Sequence, residues 1–278
     1  MNNELYYFRP YQVDDITYSC DMLYLKFRYN DENLHRYLQH ELLQCYDDFE
    51  VNYFPSKDKY KYSHLFVVNF LKYGYKLIIK FQLQKEHVGV LEFNPNHLML
   101  DDAFYQFYLK LINNFYSLEY YKMDFAVDLP VPRCNVKVLR DNRKYMKFVQ
   151  GSVTEYLGCR NKHNHIKIYD KSYESKLSYD LTRVEITIEN GLPINYPDIK
   201  ILLTQPEFNL NNLTQSEQFI LGLLIEVEDP YYHLRKLRKR DRIKYEKLLN
   251  NQYYDFEYAT ASYLQVLYNI RDIFHFTI

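Results

Sequence analysis

The chain has 278 residues, 47% of them hydrophobic, which suits one large domain or two smaller ones. Its 35 basic and 36 acidic residues leave a net charge of −1, which excludes a protein that coats nucleic acid by bulk charge and confines any such contact to local basic patches. A mean hydropathy of −0.49, no apolar run near the ~20 residues of a membrane span, and a start, Met1 to Tyr6, without signal-peptide regions make a cytoplasmic protein with no membrane partner the expectation.

Residues 16–29 read as an extended strand rich in aromatic and apolar side chains. Asp31 is placed to cap a helix whose Leu34, Leu38, Leu42 and Tyr46 recur at roughly helical spacing. Strands over 60–71, 75–83 and 86–93 lie close enough for an antiparallel meander. Asp101 can cap a second helix to about Tyr116, with Phe104, Tyr108 and Leu111 on one side. Further strands are expected over 121–129, 144–150, 154–157, 165–171 and 182–189. Strands in runs with few helices between them predict an α+β fold. Composition changes after Asn190, and the segment from Gly191 to Pro197 reads as a hinge, so a boundary is expected near residue 195. Beyond it the chain reads as helical. Thr214 and Glu217 have capping-box spacing, Asp229-Pro230 is an N-cap and N1 pair, and Asp255 can start a last helix to about Phe274.

The strand from His165 to Lys171 carries the chemistry. Alternation would put His165, Lys167, Tyr169 and Lys171 on one face, with Ile166 and Ile168 behind. A phenol flanked by two ammonium groups can attack a phosphodiester, because nearby cations favour phenolate and hold phosphate oxygens. With 32 tyrosines in the chain, packing is the competing role for any one of them. Asp124 and Asp128 share a strand face about 13 Å apart, and Glu185 and Glu189 flank Thr187 on another. Asp124 with Glu185 could form an oxygen-ligand site for Mg²⁺ or Mn²⁺. Arg183 could neutralise a carboxylate or grip a phosphate.

His163-Asn164-His165 has a polar middle residue and its tyrosine only four residues later, so it is read as flanking DNA or forming a turn. The scattered Cys20, Cys45, Cys134 and Cys159 form no C-x-x-C pair and give no zinc site. Arg235, Arg238, Lys239 and Arg242 fall at i, i+3, i+4 and i+7 in the basic segment after Asp229, a cationic helix face suited to phosphates or a major groove. No phosphate-binding or dinucleotide-binding glycine loop is present.

The order of these pieces, Met123-Asp124-Phe125-Ala126-Val127-Asp128, then Thr154 to Arg160, then Ile166-Lys167-Ile168-Tyr169-Asp170-Lys171, then Arg183-Val184-Glu185-Ile186, resembles the replication initiation factor family of Gram-positive rolling-circle plasmids. The match covers roughly residues 121–190. The resemblance implies a metal-dependent DNA nicking-closing enzyme in which Tyr169 is the nucleophile, Asp124 and Glu185 lie near the metal, and Arg160 meets DNA. It implies a 5′-phosphotyrosine link, a 3′ hydroxyl that primes a host polymerase, recruitment of a host helicase, and a homodimer on plasmid origin DNA that is single-stranded at the nick. Residues 1–195 would be the catalytic domain and 196–278 a helical domain for origin recognition. The sequence departs from the family at Thr187, where a second Glu is frequent, leaving Asp128 or Glu189 as substitute ligands, and at Cys159, where a small Ser is common. Two alternatives stay open: a non-catalytic DNA-binding regulator on the same scaffold, and a metal-dependent nuclease that uses water in place of Tyr169.

Overall fold

The computed structural model describes residues 11–13, 16–29, 34, 36, 40, 47–55, 62–82, 88–138, 143–192, 201–203, 213–227, 230–250 and 256–278. The fold is α+β. In chain order the strands are β1 (Tyr11–Val13), β2 (Ile16–Arg28), β3 (Phe49–Pro55), β4 (His64–Phe70), β5 (Tyr75–Gln82), β6 (Val88–Phe93), β7 (Ser117–Leu129), β8 (Val136–Val138), β9 (Tyr145–Gln150), β10 (Ser152–Leu157), β11 (Ile166–Asp170), β12 (Thr182–Glu189) and β13 (Ile201–Leu203). The helices are α1 (Pro95–Leu100), α2 (Asp102–Ile112), α3 (Lys171–Ser175), α4 (Gln215–Glu226), α5 (Pro230–Leu234), α6 (Lys239–Asn250) and α7 (Phe256–Phe274).

Among the described residues, eleven strands form one antiparallel sheet, ordered β3-β4-β5-β6-β2-β7-β12-β11-β10-β9 with β1 beside β2, and β8 pairs with β13 separately. The expected meander is β4-β5-β6, extended by β3 at one edge. Alternation makes each strand two-faced. Phe125 and Val127 of β7, Val184 and Ile186 of β12, and Ile166 and Ile168 of β11 all point to one buried face. That face is covered by α2 and α7. Phe70 stacks on Phe104 at 4.2 Å, Phe93 meets Phe274 at 5.4 Å, and Phe125 meets Tyr263 edge-on at 5.7 Å. The Tyr108 hydroxyl, fully buried, donates to the Phe274 carbonyl at 2.7 Å, so the two covering helices are also tied to each other.

Asp101 caps α2 as its sequence position suggested, its carboxylate accepting from the Ala103 and Phe104 amides, although the helix ends at Ile112. Thr214 and Glu217 form the expected reciprocal capping box at α4. The reading of everything after residue 195 as one helical unit needs changing. Tyr263, Val266, Leu267, Ile270 and Phe274 lie on one stripe of α7 and complete the core of the sheet, while α4, α5 and α6 bury Leu221, Leu224, Leu234, Tyr245 and Leu249 among themselves. The boundary at 195, the caps Asp31, Asp229 and Asp255, and Leu38, Leu42 and Tyr46 lie outside the described residues.

Candidate active site

The opposite face of the sheet carries the polar side chains. Register fixes who meets whom. Asp124 is opposite Thr187, Ala126 opposite Glu185, and Asp128 opposite Arg183. On the far side of β12, Glu185 is opposite Lys167 and Arg183 opposite Tyr169. Cross-strand partners share a face, so three strands bring Asp124, Asp128, Arg183, Glu185, Lys167 and Tyr169 together around the small side chain of Ala126.

A fourth strand adds a residue. Between Cys20 and Met22 the β2–β7 register shifts, because Asp21 is an extra residue on β2. A bulge of this kind re-aims a side chain, and here it turns Asp21 towards Arg183, whose Nη1 donates to its Oδ1 at 2.8 Å. The side chain of Asn96, on α1, donates to the Cys20 carbonyl and ties that helix to the bulge. The next residue of α1, His97, stacks on Tyr75 at 4.1 Å. Burial lowers its pKa, with Asp21 opposing and Lys171 reinforcing that shift, so both charges lie within its electrostatic reach.

The centre is Tyr169, only 4% exposed. Its hydroxyl donates to Glu185 Oε1 at 2.5 Å. Lys167 Nζ lies 3.8 Å from the centre of the phenol ring and 3.3 Å from Glu185 Oε2, and Lys171 Nζ lies 5.8 Å from the same ring. The two flanking ammonium groups are therefore as expected, with one change of scaffold. Lys171 is not on the strand. It is the first residue of α3, whose N-cap is Asp170, and it pairs with Glu174 at 2.6 Å. The expected preference for phenolate is overturned. Burial first, and then the negative charge of Glu185, push the phenol well above its usual range despite Arg183. As it stands, Tyr169 is a neutral phenol that donates a hydrogen bond to Glu185.

Of the two roles read for Arg183, the structure shows the neutralising of a carboxylate, and the carboxylate is Asp128 rather than the neighbouring Glu185. Nε and Nη2 of the guanidinium donate to the two Asp128 oxygens at 2.6 and 2.7 Å, with both residues buried. A forked pair of this kind commits the two groups to each other, Arg183 rather than an ion holding both Asp128 oxygens. Glu189 is committed too. Its Oε1 accepts from the His163 amide at 3.1 Å, and its own amide donates to His163 Nδ1 at 3.1 Å. His163 thus forms a turn, and Thr187, at the departure from the family pattern, donates to Asp124 Oδ1 at 2.6 Å. Tyr24 also donates to Asp124, at 3.2 Å.

The carboxylates facing the open side are Asp21, Asp124 and Glu185. Burial, with Asp21 adding to it, raises the pKa of both Asp124 and Glu185, against Thr187 for the first and Lys167 for the second. Carboxylates in that position are short of positive charge, and an all-oxygen donor set of this type suits Mg²⁺ or Mn²⁺. Each is now turned to a protein partner, and among the described residues no three metal-binding side chains converge on one point.

Beyond Lys167 the same face continues outward through aromatic rings that the sequence reading did not single out. Tyr156 stacks on His165 at 5.8 Å, and the exposed Phe148 sits edge-on to Tyr156 at 5.7 Å. Arg160 is exposed in the turn between β10 and β11. The expected cationic stripe is broken: α5 ends at Leu234 and α6 begins at Lys239, so Arg235 and Arg238 lie in the turn between them while Lys239 and Arg242 are on α6. One continuous helix would stack Arg235 on Lys239, Lys236 on Arg240 and Arg238 on Arg242, and like charges at that spacing are destabilising.

No protein-family model matches the chain, and no curated protein matches it. Among solved structures the chain is similar to a rolling circle replication initiator protein from Geobacillus stearothermophilus, at 14% sequence identity and a TM-score of 0.38, over 71% of this chain and 90% of that one.

Proposed function

We propose that this protein initiates rolling-circle replication by nicking single-stranded origin DNA through Tyr169. The observation that carries the reading is the phenol held at 2.5 Å from Glu185 with Lys167 and Lys171 beside its ring, a nucleophile, a proton acceptor and two phosphate-binding cations on one open sheet face.

In this reading Lys167 and Lys171 bind the scissile phosphate and hold it over the phenol. The phenol proton passes along the existing hydrogen bond to Glu185. Tyr169 Oη forms a bond to phosphorus, the bond to the 3′ oxygen breaks, and that oxygen leaves as a 3′ hydroxyl, taking the proton that Glu185 had accepted. Asp124 and Glu185, with Asp21 as the third carboxylate, are the residues that would hold Mg²⁺ or Mn²⁺. A bound ion supplies positive charge against the charge gathering on the phosphate and lowers the proton affinity of groups beside it. Arg183 and Asp128 lock the register of β12 against β7 and so position Glu185. The free 3′ hydroxyl would prime a host polymerase. Recruitment of a host helicase, a homodimeric state, origin recognition by the helices after residue 195 and a plasmid host belong to the same proposal.

The test is incubation with Mn²⁺ and supercoiled DNA carrying the gene and its flanks, resolved on a denaturing gel. A DNA-linked protein band that disappears in Tyr169→Phe supports the reading. A second reading is a metal-dependent nuclease in which water replaces Tyr169 as the nucleophile, and the raised proton affinity that keeps the phenol neutral favours it. Free nicked DNA without a protein adduct, surviving in Tyr169→Phe, would establish that alternative. Binding without cleavage would leave a DNA-binding regulator.

A further inference from the structure

Immediately after the candidate nucleophile the chain forms a closed loop, from Lys171 to Leu181. Its neck is latched. The Lys171 and Ser172 amides both donate to the Leu181 carbonyl, at 2.9 and 3.2 Å, and the Leu181 amide donates back to Ser172 Oγ at 3.2 Å. Asp170 Oδ1 accepts from the Ser172 hydroxyl at 2.6 Å and from the Tyr173 amide at 2.8 Å. Lys176 turns the chain back in the left-handed region, at φ 53°. The loop is thus built as a fixed cup rather than a loose connection.

The cup borders an open cleft of about 740 Å³, lined among others by Asp170, Ser172, Tyr173, Ser178, Tyr179 and Asp180. That volume is within the usual range for small-ligand sites. Two large rings border it, and both are exposed where tyrosines ordinarily tuck in: Tyr173 at 60% and Tyr179 at 55%. Tyr173 is nevertheless held. The turn joining β9 and β10 lies against its hydroxyl so closely that a Cβ at Gly151 would come within 2.1 Å, and Gly151 has φ +72°. The side chains of Tyr179 and Asp180 make no hydrogen bond among the described residues, and Asp180 offers a free acceptor.

We infer that this cleft is a subsite for one unstacked nucleobase of the single strand, next to the scissile phosphate, stacked against Tyr173 and Tyr179 and read by Asp180. The inference rests on the nicking reading for which phosphate lies beside it, since Glu174 of the cleft wall pairs with Lys171, whose Nζ lies 5.8 Å from the Tyr169 ring. Aromatic rings beside a cationic track are how proteins hold single strands, because every base has a face to stack. Asp180 accepts only, so it favours a base with an exocyclic amine, as carboxylates do towards cytosine. Lys167 and Lys171 hold the backbone while the cleft takes the base. The subsite therefore distinguishes strands by their bases where the lysines cannot.

The test is fluorescence anisotropy of the full chain with three labelled twelve-nucleotide strands: oligo-dC, oligo-dT and an abasic strand with the same phosphates. The combined Tyr173→Ala and Tyr179→Ala variant should bind oligo-dC roughly a hundredfold more weakly, about tenfold for each ring, and bind the abasic strand unchanged. The Tyr173→Phe, Tyr179→Phe variant should keep wild-type affinity. Wild type should prefer oligo-dC to oligo-dT, and Asp180→Ala should remove that preference. Equal weakening towards all three strands, or none towards oligo-dC, would overturn the subsite. Its fate is separable from that of the nicking reading. A protein that forms no covalent adduct yet loses base-dependent affinity in the double alanine variant keeps the subsite and loses the nicking role. One that forms the adduct without base-dependent binding does the reverse.

Discussion

Arg183→Met is the substitution that weighs most heavily on the assignment of the site. The guanidinium is 3% exposed and Asp128 2% exposed, and they share two hydrogen bonds at 2.6 and 2.7 Å. Methionine roughly preserves the volume and leaves the Asp128 carboxylate buried without its forked partner. Breaking a buried pair from one side costs about 3–5 kcal/mol. With a urea slope of about 3 kcal/mol per molar for a chain of this size, the unfolding midpoint should fall by roughly 1 to 1.7 M. Asp21 loses a partner too, but it is part-exposed and water replaces the guanidinium at little cost. Adding Asp128→Leu removes the stranded charge, so the double variant should recover most of the loss, because an apolar replacement of a buried pair is often neutral or better. The assay is urea denaturation of wild type, both single variants and the double variant, which isolates the coupling between the two residues. If Arg183→Met unfolds within 1 kcal/mol of wild type and instead loses affinity for single-stranded DNA, the guanidinium serves phosphate and the structural assignment fails.

Three further outcomes are expected. Asp21→Asn should weaken Mn²⁺ binding about tenfold by calorimetric titration while leaving the circular dichroism spectrum unchanged; unaltered Mn²⁺ affinity would remove Asp21 from the ion site. Gly89→Ala should destabilise by about 1–3 kcal/mol, since a Cβ there would lie 2.1 Å from the Phe27 ring and 2.6 Å from the Lys80 carbonyl; a midpoint equal to wild type in urea would show that the ring and the strand can give way. Burial pushes the Tyr108 and Tyr120 phenols well above their usual range, and for Tyr120 the neighbouring Tyr263 adds to it. Their folded values exceed the unfolded value of about 10, so the stability they contribute is complete below about pH 10 and is lost as pH rises through the folded values. In an alkaline titration one set of phenolates should appear near pH 10, and the buried set only together with loss of far-ultraviolet circular dichroism. A single wave from all 32 tyrosines with the fold intact would refute this.

Strand alternation made much of the site face legible. Once β7, β11 and β12 are aligned, the residues that alternate with Phe125, Ile168 and Val184 must share the other side, and Asp124, Glu185, Lys167 and Tyr169 do so. The partners were less legible, because a side chain commits to whichever group the neighbouring strand delivers. Asp128 looked identical to Asp124 in spacing, yet register gives it Arg183 while Asp124 receives Thr187. Asp21 did leave a trace in the sequence. The apolar residues of β2 run on even numbers through Tyr18 and Cys20 and then on odd numbers through Leu23, Leu25 and Phe27, and a change of parity within one strand is the mark of a bulge. The basic helix misled for a local reason: spacing alone does not count the repulsion between like charges one turn apart. The cup after Tyr169 has no periodic pattern to read, since its shape comes from Ser172 and Asp170 bonding back to the main chain.

The closing of the sheet by α7 also has a consequence for how the protein is made. Phe274 meets Tyr108 at 5.6 Å across 166 positions of sequence. During synthesis, therefore, every strand of the candidate site leaves the ribosome before the helix that completes the cover of its apolar side. Until residues 256–274 emerge, Phe125 lacks the ring of Tyr263 and Phe93 is covered by α2 alone, and nascent chains present a sticky surface to one another. Slowing translation just upstream of α7 should hold the chain in that state and divert it into aggregates, whereas the same pause placed after α7 should leave the yield of soluble protein unchanged.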